Sequence, residues 1–370
     1  MLSWSQKWLW FSLVAVLAAI WGGGPLLRLA HAEQFLSGLA APEVAPIASV
    51  IEQELSIAGS RGAIRARVYR PANGARAPGV VVAHGVHYRG IDEKRLVPFA
   101  RELARSGFVV LTPELAELAD YRLTRDSVDR IRDSVLFLAS RRDWILDDRP
   151  GLIGFSFAGG LSLVAASEPP LAGRLAYVVS VGGHHDLARV LSFLLSDEIV
   201  TPSGRVHMKA HDYGLAVVLY GHLDEFVPLA ELPLAQNAFR AWLHEDRRLA
   251  KDLGAALPKG TESARLFELL TTEHLQSLAP ELNRILERDR AALAALSPNG
   301  KLNRIGAPIY LLHGAHDSVI PPSETSFAAL ELGNAQHAAL ISPLIEHVEV
   351  GKGTSFMDKV ALLAFMSHLF

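Results

Sequence analysis

The chain has 370 residues, 50% of them hydrophobic, with a formal net charge of -3 and no cysteine. That length holds one large α/β domain with an insertion, or two small domains. The near-neutral charge, without a basic run, gives no electrostatic case for nucleic acid, and the lack of cysteine excludes disulfides, thiol nucleophiles and thiolate zinc sites while leaving the compartment open.

An apolar run over 8–21 follows Lys7 and leads into Gly22-Gly23-Gly24-Pro25. It is the size of a signal-peptide core and shorter than the ~20 residues a membrane span needs, although read through to Leu27 it would just span. Ala30-His31-Ala32 before Glu33 resembles a small-residue cleavage site. No charged residue interrupts the run, and the lone Ser12 gives it no amphipathic face, which argues against a buried helix of a soluble domain. Residues 1–32 are therefore expected to be a signal peptide or a membrane anchor, and the protein to be exported, periplasmic or otherwise extracytoplasmic, or held at a membrane by this segment. Residues 33–57 mix Ala, Pro and Glu without clear period and are expected to form a tether.

Residues 63–69 alternate apolar and polar, as a half-buried strand does, and Pro71-Ala72-Asn73-Gly74 closes them as a turn. The β-branched run over 79–85 reads as a parallel strand buried on both faces, ending at His84-Gly85-Val86-His87. A helix is expected over 96–105, stopped by Ser106-Gly107, then a strand over 108–111 and an amphipathic helix over 124–140 with Val128, Ile131 and Val135 on its apolar stripe. Next comes Gly151-Leu152-Ile153-Gly154-Phe155-Ser156-Phe157-Ala158-Gly159-Gly160, then a strand over 177–181. Strands and helices alternating at this spacing predict a doubly wound, mostly parallel sheet.

The rhythm lapses after Gly182-Gly183-His184-His185-Asp186. Residues 187–303 show helical periods only, for example over 234–253 and 263–296, and are expected to be a helical cap over the strand ends. A strand over 309–312, a helix over 323–332, a strand over 338–342 and a helix over 356–370 complete the chain. The core is thus expected to comprise 58–186 and 304–370, interrupted by the 187–303 insertion.

The stretch around Ser156 reads as a buried strand that turns sharply into a helix. Small residues on both sides of a serine let the backbone fold tightly enough to hold Oγ at the strand tip in a strained conformation. In the pattern Gly-x-Ser-x-Gly the last place is taken here by Ala158, small enough for a close crossing. A phosphate-binding loop or a plain tight crossover shares this composition. A serine hydroxyl needs a histidine base, and the histidine an orienting carboxylate. In an open α/β sheet such groups collect outside the carboxyl ends of the strands. Asp317, in Gly314-Ala315-His316-Asp317 after one strand, is the natural acid, and His347, beyond the last strand, the natural base. Asp186 is the alternative acid. His347 lies in Ile345-Glu346-His347-Val348-Glu349-Val350, which reads as strand if the last strand continues. His337 precedes that strand, and His368 lies in the final helix.

With its strand ending in His84-Gly85, its serine turn, Gly314-x-x-Asp317 and a late histidine before a terminal helix, the sequence resembles the α/β-hydrolase superfamily. Residues 69–167 are most similar to its dienelactone-hydrolase-like and acyl-peptidase-like esterase branches. The likeness covers about 60–186 and 304–370. It implies a serine hydrolase without cofactor, acting on a carboxylic ester, or a small amide or peptide, through an acyl-serine intermediate. Ser156 would be nucleophile, His347 general base and Asp317 its orienter, with the backbone N–H groups of Val86 and Phe157 as oxyanion hole. The partner implied is a small-molecule ester or acyl substrate.

Some signals remain outside this constellation. His84 is expected to prop its loop. His184-His185-Asp186 and His207-Met208-Lys209-Ala210-His211-Asp212 raise the question of metal, since histidines four apart on a helix can share an ion, but no glutamate completes such a motif and none is assigned. His222-Leu223-Asp224-Glu225 reads as cap surface. A different reading of the whole chain is a catalytically silent α/β-hydrolase fold serving as a binding scaffold at the membrane.

Overall fold

The computed structural model describes residues 24–40, 50–335, 337–346, 349–350 and 356–370. Helix α1 (Gly24–Ala40) is followed by an antiparallel pair, β1 (Val50–Gly59) and β2 (Gly62–Pro71). In β2 the period of two turns Ile64, Ala66 and Val68 into the core, while Arg65 and Arg67 face outward and pair with Glu54 of β1 and with Asp92. Strands and helices then alternate as β3 (Gly79–Ala83), α2 (Leu96–Arg105), β4 (Val109–Pro113), α3 (Arg125–Ser140), β5 (Gly151–Phe155), α4 (Phe157–Ala166) and β6 (Val178–Val181).

After β6 come α5 (Leu187–Ser196), a hairpin of β7 (Glu198–Thr201) and β8 (Gly204–His207), and then α6 (Asp212–Tyr220), α7 (Leu232–Leu243), α8 (Arg247–Ala255), α9 (Glu262–Thr271) and α10 (Ala279–Arg288). The chain re-enters the sheet as β9 (Ile309–Gly314), crosses by α11 (Ser323–Leu332) to β10 (His337–Ser342), pairs β11 (Ile345–Glu346) with β12 (Glu349–Val350), and closes with α12 (Phe356–Met366).

The eight-stranded sheet has the order β1-β2-β4-β3-β5-β6-β9-β10. β1 and β2 are antiparallel to their neighbours and every pairing from β4 to β10 is parallel. The doubly wound, mostly parallel sheet expected from the sequence is present. Because successive side chains leave a strand on opposite faces, Val81, Ala83 and Leu152 join one apolar cluster with α3, α4 and the insertion, while Val80, Val82 and Ile153 join another with α1, α2 and α12.

The insertion touches the loops that follow the carboxyl ends of three strands. Tyr88, after β3, stacks on His244 with ring centroids 4.3 Å apart. After β4, Tyr121 donates its hydroxyl to the Leu243 carbonyl at 2.9 Å, and Asp120 accepts from Tyr220 and Arg240 at 3.0 and 3.1 Å. After β9, the Ser318 carbonyl accepts from the His211 N–H at 2.9 Å.

Three expectations need correction. The 33–57 tether is instead structure: 33–40 belong to α1, whose Ala32 and Phe35 are fully buried, and 50–57 to β1. The Ala-His-Ala stretch lies inside that helix. Residues 1–23, which carry most of the apolar run, and 41–49 lie outside the described residues, and among the described residues no helix is long and apolar enough to cross a membrane. Within the insertion, the helical period over 234–253 is broken between α7 and α8, where Glu245 takes φ 63°, and β7 and β8 pair where only helix was expected.

Candidate active site

The turn from β5 into α4 places Ser156 at φ 53° and ψ -133°, a conformation that a residue with a side chain holds only when its surroundings impose it. Here they do. The Ser156 N–H donates to the Val181 carbonyl at 2.8 Å, and the Ser156 carbonyl accepts from the Gly159 N–H at 2.8 Å. The helix crosses the sheet so closely that a Cβ on Gly154 would lie 2.4 Å from the Ala158 carbonyl oxygen. One on Gly159 would lie 2.6 Å from Ser180 Oγ and 3.0 Å from the Gly183 Cα. Gly154 and Gly159 therefore carry the tight crossing, and the Ala158 methyl is itself fully buried.

Ser156 forms part of the wall of a pocket of about 600 Å³, counting its open mouth, together with Gly85, Val86, Leu96, Phe99 and Phe155. Glu93 and Arg95 also line it, held to each other by an ion pair of 2.8 Å. Gly85 comes so near that a Cβ there would stand 3.1 Å from Ser156 Cβ and 3.3 Å from the Phe155 carbonyl oxygen. This brings the peptide between Gly85 and Val86 against the serine. On the other side Phe157 is the first residue of α4, where helix geometry leaves backbone N–H groups without intrahelical acceptors and concentrates the positive end of the helix dipole.

His84 shapes that loop. Its Nε2 accepts from the Leu115 N–H at 2.9 Å, so Nδ1 carries the proton and donates to the Gly85 carbonyl at 2.7 Å. Full burial lowers the basicity of this imidazole, which is consistent with the neutral form those two bonds require. The propping role expected for it is what the structure shows.

Asp317 follows β9 and is 1% exposed. Its Oδ1 accepts from the Val319 and Ile320 N–H groups at 2.9 and 3.0 Å, which fixes the carboxylate plane. His313 lies 3.5 Å from Oδ2, but its Nε2 is also 2.9 Å from the Ile320 carbonyl and its Nδ1 2.8 Å from Thr325 Oγ1, a structural pairing inside the strand end. His347 lies outside the described residues. β10 ends at Ser342, and Ile345–Glu346 pairs antiparallel with Glu349–Val350, so the segment does not prolong β10.

The competing residues have other duties. Asp186 caps α5 by accepting from the Arg189 N–H and also holds Asn299 Nδ2 at 3.1 Å. His337 opens β10, and His368 stacks on Tyr310 with centroids 4.9 Å apart. His207 ends β8 while His211 precedes α6, so the two do not share a helix face. His184 Nε2 lies 2.9 Å from the Leu296 carbonyl, and His185 Nε2 lies 2.7 Å from Glu331. In the cap, His222, Glu225 and Asp289 have ligand atoms within 4.8 Å of one another. Arg288 already bonds both carboxylates at 2.7 and 2.8 Å and supplies the positive charge there. Sequence reasoning missed Phe99 and Phe155 as pocket walls. The one available signal was the bulky aromatic placed immediately before the serine.

The sequence model of the dienelactone hydrolase family matches residues 64–244, a span that runs from β2 to the end of α7 and includes the serine turn and the His84-Gly85 loop. The chain has the α/β-hydrolase fold. Its strand order and crossovers are those of this fold, and the family match supports a hydrolase. Asp317 and His347 lie beyond the matched span. Among solved structures, the chain is similar to a hyperthermophilic esterase from the archaeon Pyrobaculum calidifontis, at 18% identity over 96% of this chain and 93% of that one with a TM-score of 0.44. It is also similar to a putative dienelactone hydrolase from Klebsiella pneumoniae, at 15% identity over 86% and 98% with a TM-score of 0.43. A third likeness is to an acylaminoacyl peptidase from Pyrococcus horikoshii, at 13% identity over 83% of this chain and 38% of that one with a TM-score of 0.43. No curated protein matches the chain. Within this fold the serine turn and the Gly85 loop stand at the carboxyl ends of adjacent strands, β5 and β3, and Asp317 at that of β9, one strand further along beyond β6.

Proposed function

We propose that the chain is a serine hydrolase that cleaves a carboxylic ester through an acyl-serine intermediate. The observation that carries this reading is Ser156, held at φ 53° on the wall of a pocket it shares with Val86. Strain of this kind is worth maintaining where a side chain must be presented to a ligand. Ser156 Oγ attacks the ester carbonyl as His347 takes its proton, with Asp317 orienting the imidazole. The carbonyl oxygen becomes an oxyanion that receives the N–H groups of Val86 and Phe157, donors of a type worth about 3 kcal/mol each in comparable sites. Collapse of this intermediate expels the alcohol, which leaves with the proton from His347. Water, deprotonated by the same histidine, then attacks the acyl-serine and releases the acid. A pocket with apolar walls such as Leu96, Phe99 and Phe155 and a few polar groups such as Glu93 and Arg95 suits a small-molecule substrate. Export belongs to the same reading and is supported by the composition of residues 8–21 alone.

The test is labelling of the purified protein with a fluorophosphonate, beside Ser156→Ala and His347→Ala. The expected result is stoichiometric labelling of the wild type, none of Ser156→Ala, and labelling slowed by about 10³-fold or more in His347→Ala. A folded wild-type protein that does not label would overturn the proposal in favour of a silent binding scaffold.

A further inference from the structure

Behind Phe155, on the α1 side of the sheet, lies a second cavity of about 90 Å³, and every lining residue among the described residues is apolar. α1 contributes Phe35, Leu36 and Leu39, the sheet contributes residues such as Val181 and Leu312, and α12 closes it with Phe365. Protein interiors pack as densely as organic crystals, and voids much larger than a water molecule are few. A space of this size beside a strained serine is therefore a candidate binding site.

Its position connects it to the chemistry. Phe99 and Phe155 line both this cavity and the Ser156 pocket. Their rings meet edge-on with centroids 5.0 Å apart, and Phe99 meets Phe35 in the same way at 5.4 Å. A row of three phenyl rings thus leads from the residue next to the nucleophile to the N-terminal helix. The edge-on contact of Phe99 with Phe155 stands between the two spaces, so a ligand occupying both has to turn one of these rings aside.

The lining decides the ligand class. A hydroxyl, amide or charge entering it would lose its hydrogen bonds to water and find no polar side-chain partner among the lining residues, whereas each buried CH₂ is favourable. Polar groups are found instead in the Ser156 pocket, where Glu93, Arg95 and His87 stand. We propose that the apolar cavity holds the unbranched hydrocarbon chain of the ester, entering between Phe99 and Phe155 while the carbonyl stays at Ser156. The substrate class is then an ester of a medium- or long-chain aliphatic acid or alcohol. This inference rests on the serine-hydrolase reading above.

Leu36 and Leu39 are only partly buried in α1, so a larger side chain at either place fills the cavity from its rim. The experiment measures kcat/KM for p-nitrophenyl acetate and p-nitrophenyl decanoate, and for methyl and decyl acetate, in the full chain and in Leu36→Trp and Leu39→Trp. The wild type is expected to favour the ten-carbon member of one series. The tryptophan variants should lower that preference by about tenfold or more. The series in which this happens tells whether the chain belongs to the acid or the alcohol. In parallel, decanoate is titrated calorimetrically into Ser156→Ala and into Ser156→Ala carrying Leu39→Trp, with melting curves confirming the fold of each. Binding in the first and its loss in the second supports the cavity whether or not esters are turned over, and separates failure of the cavity from failure of the catalytic reading. Equal decanoate affinity in both, or a chain-length preference unmoved in both tryptophan variants, would overturn the inference.

Discussion

The two faces of the sheet carry the same kinds of side chain and are packed to different ends. On the face toward α3 and α4, the apolar cluster runs from Val81 and Leu152 through Leu161 to Phe239 and Leu266 of the insertion. On the face toward α1, α2 and α12, a smaller cluster surrounds the cavity between Phe35, Phe155 and Phe365. Ser156 stands at the border. Its backbone is fixed from the filled face, through the Gly159 and Ser180 crossing, whereas its side-chain pocket opens among residues of the other face. A strained turn needs rigid backing and a ligand needs room, and the sheet supplies the two from opposite sides.

The strongest way to break this contrast is to loosen the insertion from the filled face. Glu324 of α11, with a side chain 0% exposed, is paired by Arg189 of α5 at 2.6 Å and accepts from the His185 and Asp186 N–H groups. Arg189→Met leaves that carboxylate buried with its countercharge gone and should cost about 3–5 kcal/mol in urea unfolding. A loss below about 1 kcal/mol would show that the insertion does not depend on this pin.

One added carbon on each face gives a smaller and more direct comparison. Gly159→Ala drives a methyl into the Gly183 backbone and Ser180, and should cost about 1–3 kcal/mol. Val179→Ile adds its carbon beside the cavity, and should change stability by less than about 1 kcal/mol in either direction. Equal costs would mean that the two faces are equally full.

The smallest effect is one of pH. Burial raises the Glu331 carboxyl, but N–H donation from Gly300 and Leu302 together with His185 outweighs it and holds the group below its ordinary value of 4.5. A depressed carboxyl stabilises the fold fully above its unfolded value and loses that contribution as pH falls through the folded one. The stability gap between wild type and Glu331→Gln should therefore be constant above pH 4.5 and shrink below it, read from melting curves across that range. A gap that widens in acid would reverse the assignment.

Much of the sheet was legible in the chain because parallel strands buried on both faces must be β-branched or apolar throughout, as Val80, Val81 and Val82 are. The serine turn was legible because a close crossing demands glycine at places such as Gly154 and Gly159. α1 and β1 were not. Phe35 is buried by Phe99 and Phe370, which are distant in sequence, and β1 is an edge strand whose Glu52 and Glu54 face outward, so neither shows a strong local period. The break at Glu245 is a single left-handed residue that composition does not announce. Asp186 and Asp317 both follow strands, and only three-dimensional placement shows the first capping a helix. The cavity was illegible in principle, since a void belongs to the packing of many side chains and to no residue.

The two ends of the insertion are tied to each other. Asn299 donates its backbone N–H to the His185 carbonyl at 3.0 Å and its side-chain amide to Asp186, and Leu187 donates to Ser297 Oγ at 2.9 Å. Entry and exit are neighbours, so the whole segment leaves and rejoins the sheet at one place. Its helices nonetheless share one apolar interior with the sheet. Removing them would therefore open the core rather than trim the surface.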